Sequence, residues 1–123
     1  MSNVSYGRAA ESEAVRHLQR AGYRVVARNV RARFGEIDVV AWDGRTLCFI
    51  EVKARSGPRF GLPEESLTAW KRRRLARLAQ WYLQRNPGLG RARMRFDVLS
   101  LMQPAEDGDL ARVRLIKGAF EVV

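Results

Sequence analysis

The chain has 123 residues, with Lys plus Arg at 23, Asp plus Glu at 13 and a formal net charge of +10. That length suits one compact domain spanning 1–123 and excludes two, and an apolar fraction of 46% excludes a disordered chain. No run of 18 apolar residues allows a membrane-spanning helix, and one cysteine cannot form an internal disulfide.

The opening residues lack an apolar signal region, so a cytoplasmic protein without membrane attachment is expected. The cationic surplus is mostly arginine, whose planar fork suits phosphate. Such a charge points to a polyanionic partner, most often nucleic acid. The competing explanation is an arginine-rich enzyme with no such partner.

The spacing predicts a helix over 5–21, ended by Gly22. Residues 23–30 read as a strand, 31–35 as a basic turn, and 36–42 as a second strand. Asp43-Gly44 is a tight-turn signal, and 45–54 follows as a third strand. The glycines and proline of 56–61 make a loop at the mouth of a site. Pro63 can open a second helix, which Asn86-Pro87-Gly88 stops after residue 85. Strands over 93–101 and 112–117 complete the chain, with an acidic turn over 104–108. The order α-β-β-β-α-β-β implies an α/β fold in which helices pack on a mixed sheet, with a right-handed crossover between the third and fourth strands.

Periodicity sorts the acidic residues. Glu11, Ala14, Val15 and Leu18 share one helical face, so Glu11 is expected to turn inward, while Glu13, Arg16, His17 and Arg20 form a polar face. The alternative for Glu11 is an edge residue paired with an arginine. In "CFIEVKAR", residues 48–55, Glu51 and Lys53 share one side of an apolar strand. A two-residue turn at Asp43-Gly44 would set Trp42 opposite Arg45 and Asp38 opposite Phe49. Asp38 and Glu51 then become diagonal neighbours, close enough to grip one cation, with Glu36 on the same face as Asp38. A three-residue turn would separate them.

Leu67, Lys71, Leu75, Leu78 and Tyr82 form a helical stripe with Lys71 inside it. Lys71 either covers apolar surface with its stem or reaches over the sheet toward a phosphate. Arg31, Arg33, Arg55 and Arg59 lie near the acids and are candidates for phosphate neutralisation. His17 reads as a surface residue, Cys48 as core, Asp97 as an arginine partner, and Trp70 and Trp81 as packing residues.

Carboxylates converging in this way form an oxygen-ligand site of the kind Mg²⁺ (or Mn²⁺) takes. Lys53 beside it would position or deprotonate an attacking water, and Glu11 would hold a water or orient Lys53. These are the parts of a phosphodiester hydrolase. E-x-K alone is a weak signal, and a structural Glu51–Lys53 ion pair is the plain alternative.

Gly35-Glu36-Ile37-Asp38 followed by Phe49 to Arg55 resembles the signature of the YraN family, which is similar to archaeal Holliday-junction resolvases and to the PD-(D/E)xK nuclease superfamily. Gly7, Glu11, Ala14, Leu18, Gly22-Tyr23, Arg28-Asn29, Lys71 and Arg95-Phe96-Asp97 extend the match over roughly residues 6–100. Ile37 replaces the proline common before the first acid of the superfamily. The resemblance implies a restriction-endonuclease-like fold that cleaves DNA, branched DNA in particular, with Mg²⁺. It would make Asp38 and Glu51 metal ligands, Lys53 the catalytic lysine and Glu11 the helix-borne acid. A junction resolvase needs two sites, which a homodimer would supply. The rivals are a DNA-binding module that does not cleave and a protein-interaction adaptor on the same fold.

Overall fold

The computed structural model describes residues 3–56, 68–89, 91–103 and 112–120, and side chains for 10–54, 68–89, 91–101 and 113–120. Elements follow the predicted order: α1 (Asn3–Arg20), β1 (Arg24–Ala32), β2 (Gly35–Asp43), β3 (Thr46–Ser56), α2 (Ala69–Arg85), β4 (Arg93–Gln103) and β5 (Arg112–Phe120). The five strands form one sheet in the order β1-β2-β3-β4-β5. β3 and β4 run parallel and every other neighbouring pair is antiparallel. The fold is therefore α/β with a mixed sheet.

The helices cover opposite faces of the sheet. Ala10, Ala14, Val15 and Leu18 of α1 pack with Val39, Ala41, Cys48, Ile50 and Leu99. Leu75, Leu78, Ala79 and Tyr82 of α2 pack with Val40, Leu47, Phe49, Phe96 and Val98. Each helix buries only its apolar stripe, and the central strands are buried on both sides. Cys48 lies in the core, fully buried, and burial pushes its thiol up to about 12.

Two predicted boundaries are corrected. The hairpin turns on Gly44-Arg45, not Asp43-Gly44: Asp43 pairs with Thr46, and Trp42 faces Leu47 rather than Arg45. Gly44 takes φ +61 at the first turn position, which a II′-type hairpin demands and glycine meets at little cost. Partners move by two residues, so facing is preserved, and Val40 rather than Asp38 opposes Phe49. The second helix begins at Ala69, after Thr68, whose extended backbone and hydroxyl acceptor cap the Lys71 N–H. Pro63, Leu67, Arg59, the 57–61 part of the loop and the 104–108 turn lie outside the described residues, as does the side chain of Arg55.

One irregularity positions the site. Asn29 in β1 adopts φ +51, in the left-handed region. The β1–β2 register holds across it, with Arg28 opposite Val39 and Val30 opposite Ile37. Yet both strands change sides there: Val39 packs on the α1 face, whereas Val30 and Ile37 pack on the α2 face. Strict alternation would have kept Val39 and Ile37 together. Glu36 and Asp38, which flank Ile37, are thereby turned toward α1.

Candidate functional site

Glu11 of α1 meets Glu36 and Asp38 of β2, with one carboxylate oxygen from each lying within 4.8 Å of the others. All three are half-buried. Asp38 sits where β2 and β3 part. The ladder between those strands ends at Val39 opposite Ile50, and the Val52 N–H donates to Asp38 Oδ2 at 2.8 Å. Burial first, then the Glu51 charge, with smaller contributions from Glu11 and Glu36, raises the Asp38 carboxyl to about 7; the Val52 N–H opposes the rise.

Glu51 and Lys53 stand on the α2 side of the gap. Lys53 Nζ lies 3.0 Å from Glu51 Oε1, with both side chains largely covered. Lys71, from the first turn of α2, faces Lys53. The Lys53 ammonium holds the Lys71 pKa below its ordinary value, and Glu51 partly offsets this. Asp38 thus stands between Glu11 and Glu36 on one side and a Glu-Lys-Lys group on the other. Such crowding leaves negative charge on the trio that a hard divalent cation with oxygen ligands would relieve.

The other predicted residues are distributed as follows. Arg31 pairs with Glu36 at 3.4 Å, and Arg33 is exposed in the β1–β2 turn. Glu13 ion-pairs with Arg16, and its Oε1 lies 3.4 Å from His17 Nε2, on the outer face of α1.

A second aspartate provides a contrast. Asp97 is 1% exposed and fully partnered. Its Oδ1 accepts from Arg95 Nε at 2.8 Å and the Gly118 N–H at 2.9 Å, and its Oδ2 from Tyr23 Oη and Arg95 Nη2, both at 2.9 Å. Arg95 also bonds Asp43 at 2.8 Å, where Lys117 joins at 3.2 Å. This network ties β1, the β2–β3 hairpin, β4 and β5 together. The aspartate hydrogen bond raises the Arg95 pKa further, and burial raises that of Tyr23. Asp97 therefore carries its own cation, and its role is structural. Asp38 and Asp97 each take a strand N–H, but among the described residues no arginine or lysine bonds Asp38.

The two sides of the sheet and the acid cluster at its parted strands define an α/β protein with a polar site at the open end of a hairpin. The chain belongs to the uncharacterised protein family UPF0102, the family of the YraN proteins, whose model matches residues 10–101. That span includes every acid of the cluster, Lys53 and Lys71. A UPF0102 protein of Symbiobacterium thermophilum is 53% identical over 93% of this chain and 94% of its own. Relatives from Moorella thermoacetica (44% identical, 98% of both chains) and Desulfosudis oleivorans (44%, covering 94% and 89%) have the same family description. No described helix is long and apolar enough to cross a membrane.

Proposed function

We propose that this protein is a metal-dependent endonuclease that hydrolyses DNA phosphodiesters, with branched DNA as its preferred form. The observation that carries the reading is the convergence of Glu11, Glu36 and Asp38 beside the Glu51–Lys53 pair, where β2 and β3 part and where among the described residues no lysine or arginine bonds Asp38. The donor set is all carboxylate, which suits Mg²⁺ or Mn²⁺ and not zinc. Asp38 would hold the ion with Glu11 and Glu36 from one side or with Glu51 from the other. When bound, the ion supplies a water of lowered pKa and stabilises charge on the phosphate.

The chain's own groups do the rest. Glu51 orients the Lys53 ammonium at 3.0 Å, and Lys71 faces it. Two neighbouring ammonium groups that share only the Glu51 carboxylate between them are poised to take a phosphate oxygen. Lys53 then positions the attacking water, and Arg33 at the neighbouring turn adds positive charge for the strand.

The test is cleavage of end-labelled duplex, single-stranded and four-way-junction DNA with Mg²⁺ or Mn²⁺. Cleavage should be lost in both Asp38→Ala and Lys53→Ala; activity that survives both belongs to a contaminant. The Glu51–Lys53 ion pair also favours a second reading, a DNA-binding module in which Lys53 neutralises Glu51 permanently. That reading expects no cleavage, and binding that holds or tightens when Asp38 and Glu51 are neutralised.

A further inference from the structure

The outer surface of α2 has a charge pattern that its packing does not require. The helix carries Lys71, Arg72, Arg73, Arg74, Arg77 and Arg85 and no Asp or Glu. Like charges three and four apart, as in Arg73 with Arg77 or Arg74 with Arg77, oppose helix formation. Among the described residues, Arg73, Arg74, Arg77 and Arg85 form no ion pair.

Three of these arginines are nevertheless held in place, by aromatic rings. The Arg74 guanidinium lies 4.7 Å from the centroid of Trp70, that of Arg77 4.7 Å from Phe34, and that of Arg85 4.7 Å from Trp81. Trp70, Arg74, Arg77, Trp81 and Arg85 recur every three or four residues, so they line one flank of the helix. Arg74 is also wedged beside Gly35, and its Nε is buried without a hydrogen-bond partner. Trp70 remains 59% exposed. The flank spans roughly 22 Å at 1.5 Å per residue. It starts at the turn that carries Lys71. On the same side of the sheet, Arg24, Arg45 and Arg91 line a cavity of about 330 Å³ beside Trp42, just past the far end of α2.

We infer that this flank of α2 is a track for the sugar–phosphate backbone of DNA, leading away from the acid cluster. The inference rests on the proposed function only for the identity of the polyanion. Stacking on a ring immobilises a guanidinium while leaving its N–H edge free, which suits phosphate oxygens. Because the stacked ring faces are taken by arginine, contacts to backbone are favoured over base stacking. At 3.4 Å per step along one strand, the flank matches roughly six nucleotides. An anionic membrane fits less well: an interfacial helix needs its apolar face for lipid, and that of α2 is spent on the core.

The test is fluorescence-anisotropy titration of labelled duplex DNA in EDTA, so that binding is read without cleavage, across a salt series. Arg77→Gln with Arg85→Gln should make the negative slope of log K against log salt shallower by about 1.8, and weaken binding on the order of tenfold or more at moderate salt. Arg16→Gln with Arg20→Gln removes the same charge from α1, across the sheet, and should change the slope little. Equal slopes for the two double variants would overturn the track, as would vesicles of anionic lipid responding to the α2 variant when DNA does not. Failure of cleavage with the α2 effect intact would remove the nuclease reading and leave the track standing. Both pairs are solvent-facing, and matched melting temperatures show that each variant is folded.

Discussion

Val52 donates its backbone N–H to Asp38 Oδ2 at 2.8 Å, at the point where β2 and β3 separate. The carboxylate thus substitutes for a strand carbonyl and keeps the gap open beside Glu11 and Glu36. In the metal-free protein, Asp38→Asn retains an acceptor for that N–H, whereas Asp38→Ala leaves it without one. The alanine variant should be less stable than the asparagine variant by about 1–3 kcal/mol, the usual cost of an unpaired buried polar group. Urea unfolding in EDTA measures the difference; indistinguishable midpoints would mean that the hydrogen bond holds nothing.

The same aspartate makes metal-free stability depend on pH. Its folded pKa is raised, from an ordinary 3.8 to about 7. Between those values the folded state keeps a proton that the unfolded state has lost. The stabilisation is complete below pH 3.8 and is lost as pH rises through about 7. Asp38→Asn should flatten that part of the profile. Thermal melts of both proteins in EDTA between pH 5 and 8 provide the check, and parallel profiles would exclude Asp38 as the source.

Divalent cation should reverse this trend. Mg²⁺ or Mn²⁺ competes with the Asp38 proton, so the rise in melting temperature on adding metal should be larger at pH 8 than at pH 5.5. It should vanish in Asp38→Asn. A shift of equal size in that variant would place the ion elsewhere.

Arg95 holds Asp97 and Asp43 together at the other end of the sheet. Removing it strands an otherwise buried carboxylate. Arg95→Met is expected to cost on the order of 3–5 kcal/mol, as for other broken buried pairs. Denaturant titration of the purified variant tests this, and a loss within the range of surface substitutions would show that Tyr23 and Gly118 suffice to hold Asp97.

Asn29 reorients two strands with one left-handed residue. Asn29→Gly should be tolerated, whereas Asn29→Val forces a β-branched side chain into that region and should cost about 1–2 kcal/mol. If valine is accepted without loss, the change of facing at Ile37 has another cause. The readouts are the unfolding midpoint and, for site geometry, the metal-induced shift described above.

Much of this protein was determined by local pattern. Helical spacing placed Glu11 on the inward face of α1 and buried Leu75, Leu78 and Tyr82 under the sheet. Alternation in residues 48–53 put Cys48 and Ile50 on one side and Glu51 and Lys53 on the other. These rules work because each depends only on backbone repeat and apolar burial. They could not anticipate that Glu11 and Glu36 meet Asp38 within ligand distance. Strict alternation groups Asp38 with Glu51, whose charge does act on it, and the folded chain adds Glu36 and Glu11 at contact distance on the other side. Both strands break the period of two beside Asn29, whose positive φ is seen only in the folded chain. The alternative roles of the charged residues were likewise decided in three dimensions. Asp97 and Asp38 look alike in the sequence, each in an apolar strand. Arg95, two residues away on the same side of β4, was a partner for Asp97 visible in the sequence, but only tertiary packing added Tyr23 and the Gly118 N–H and placed Asp38 among carboxylates, since compensation depends on what the fold brings within a few ångströms.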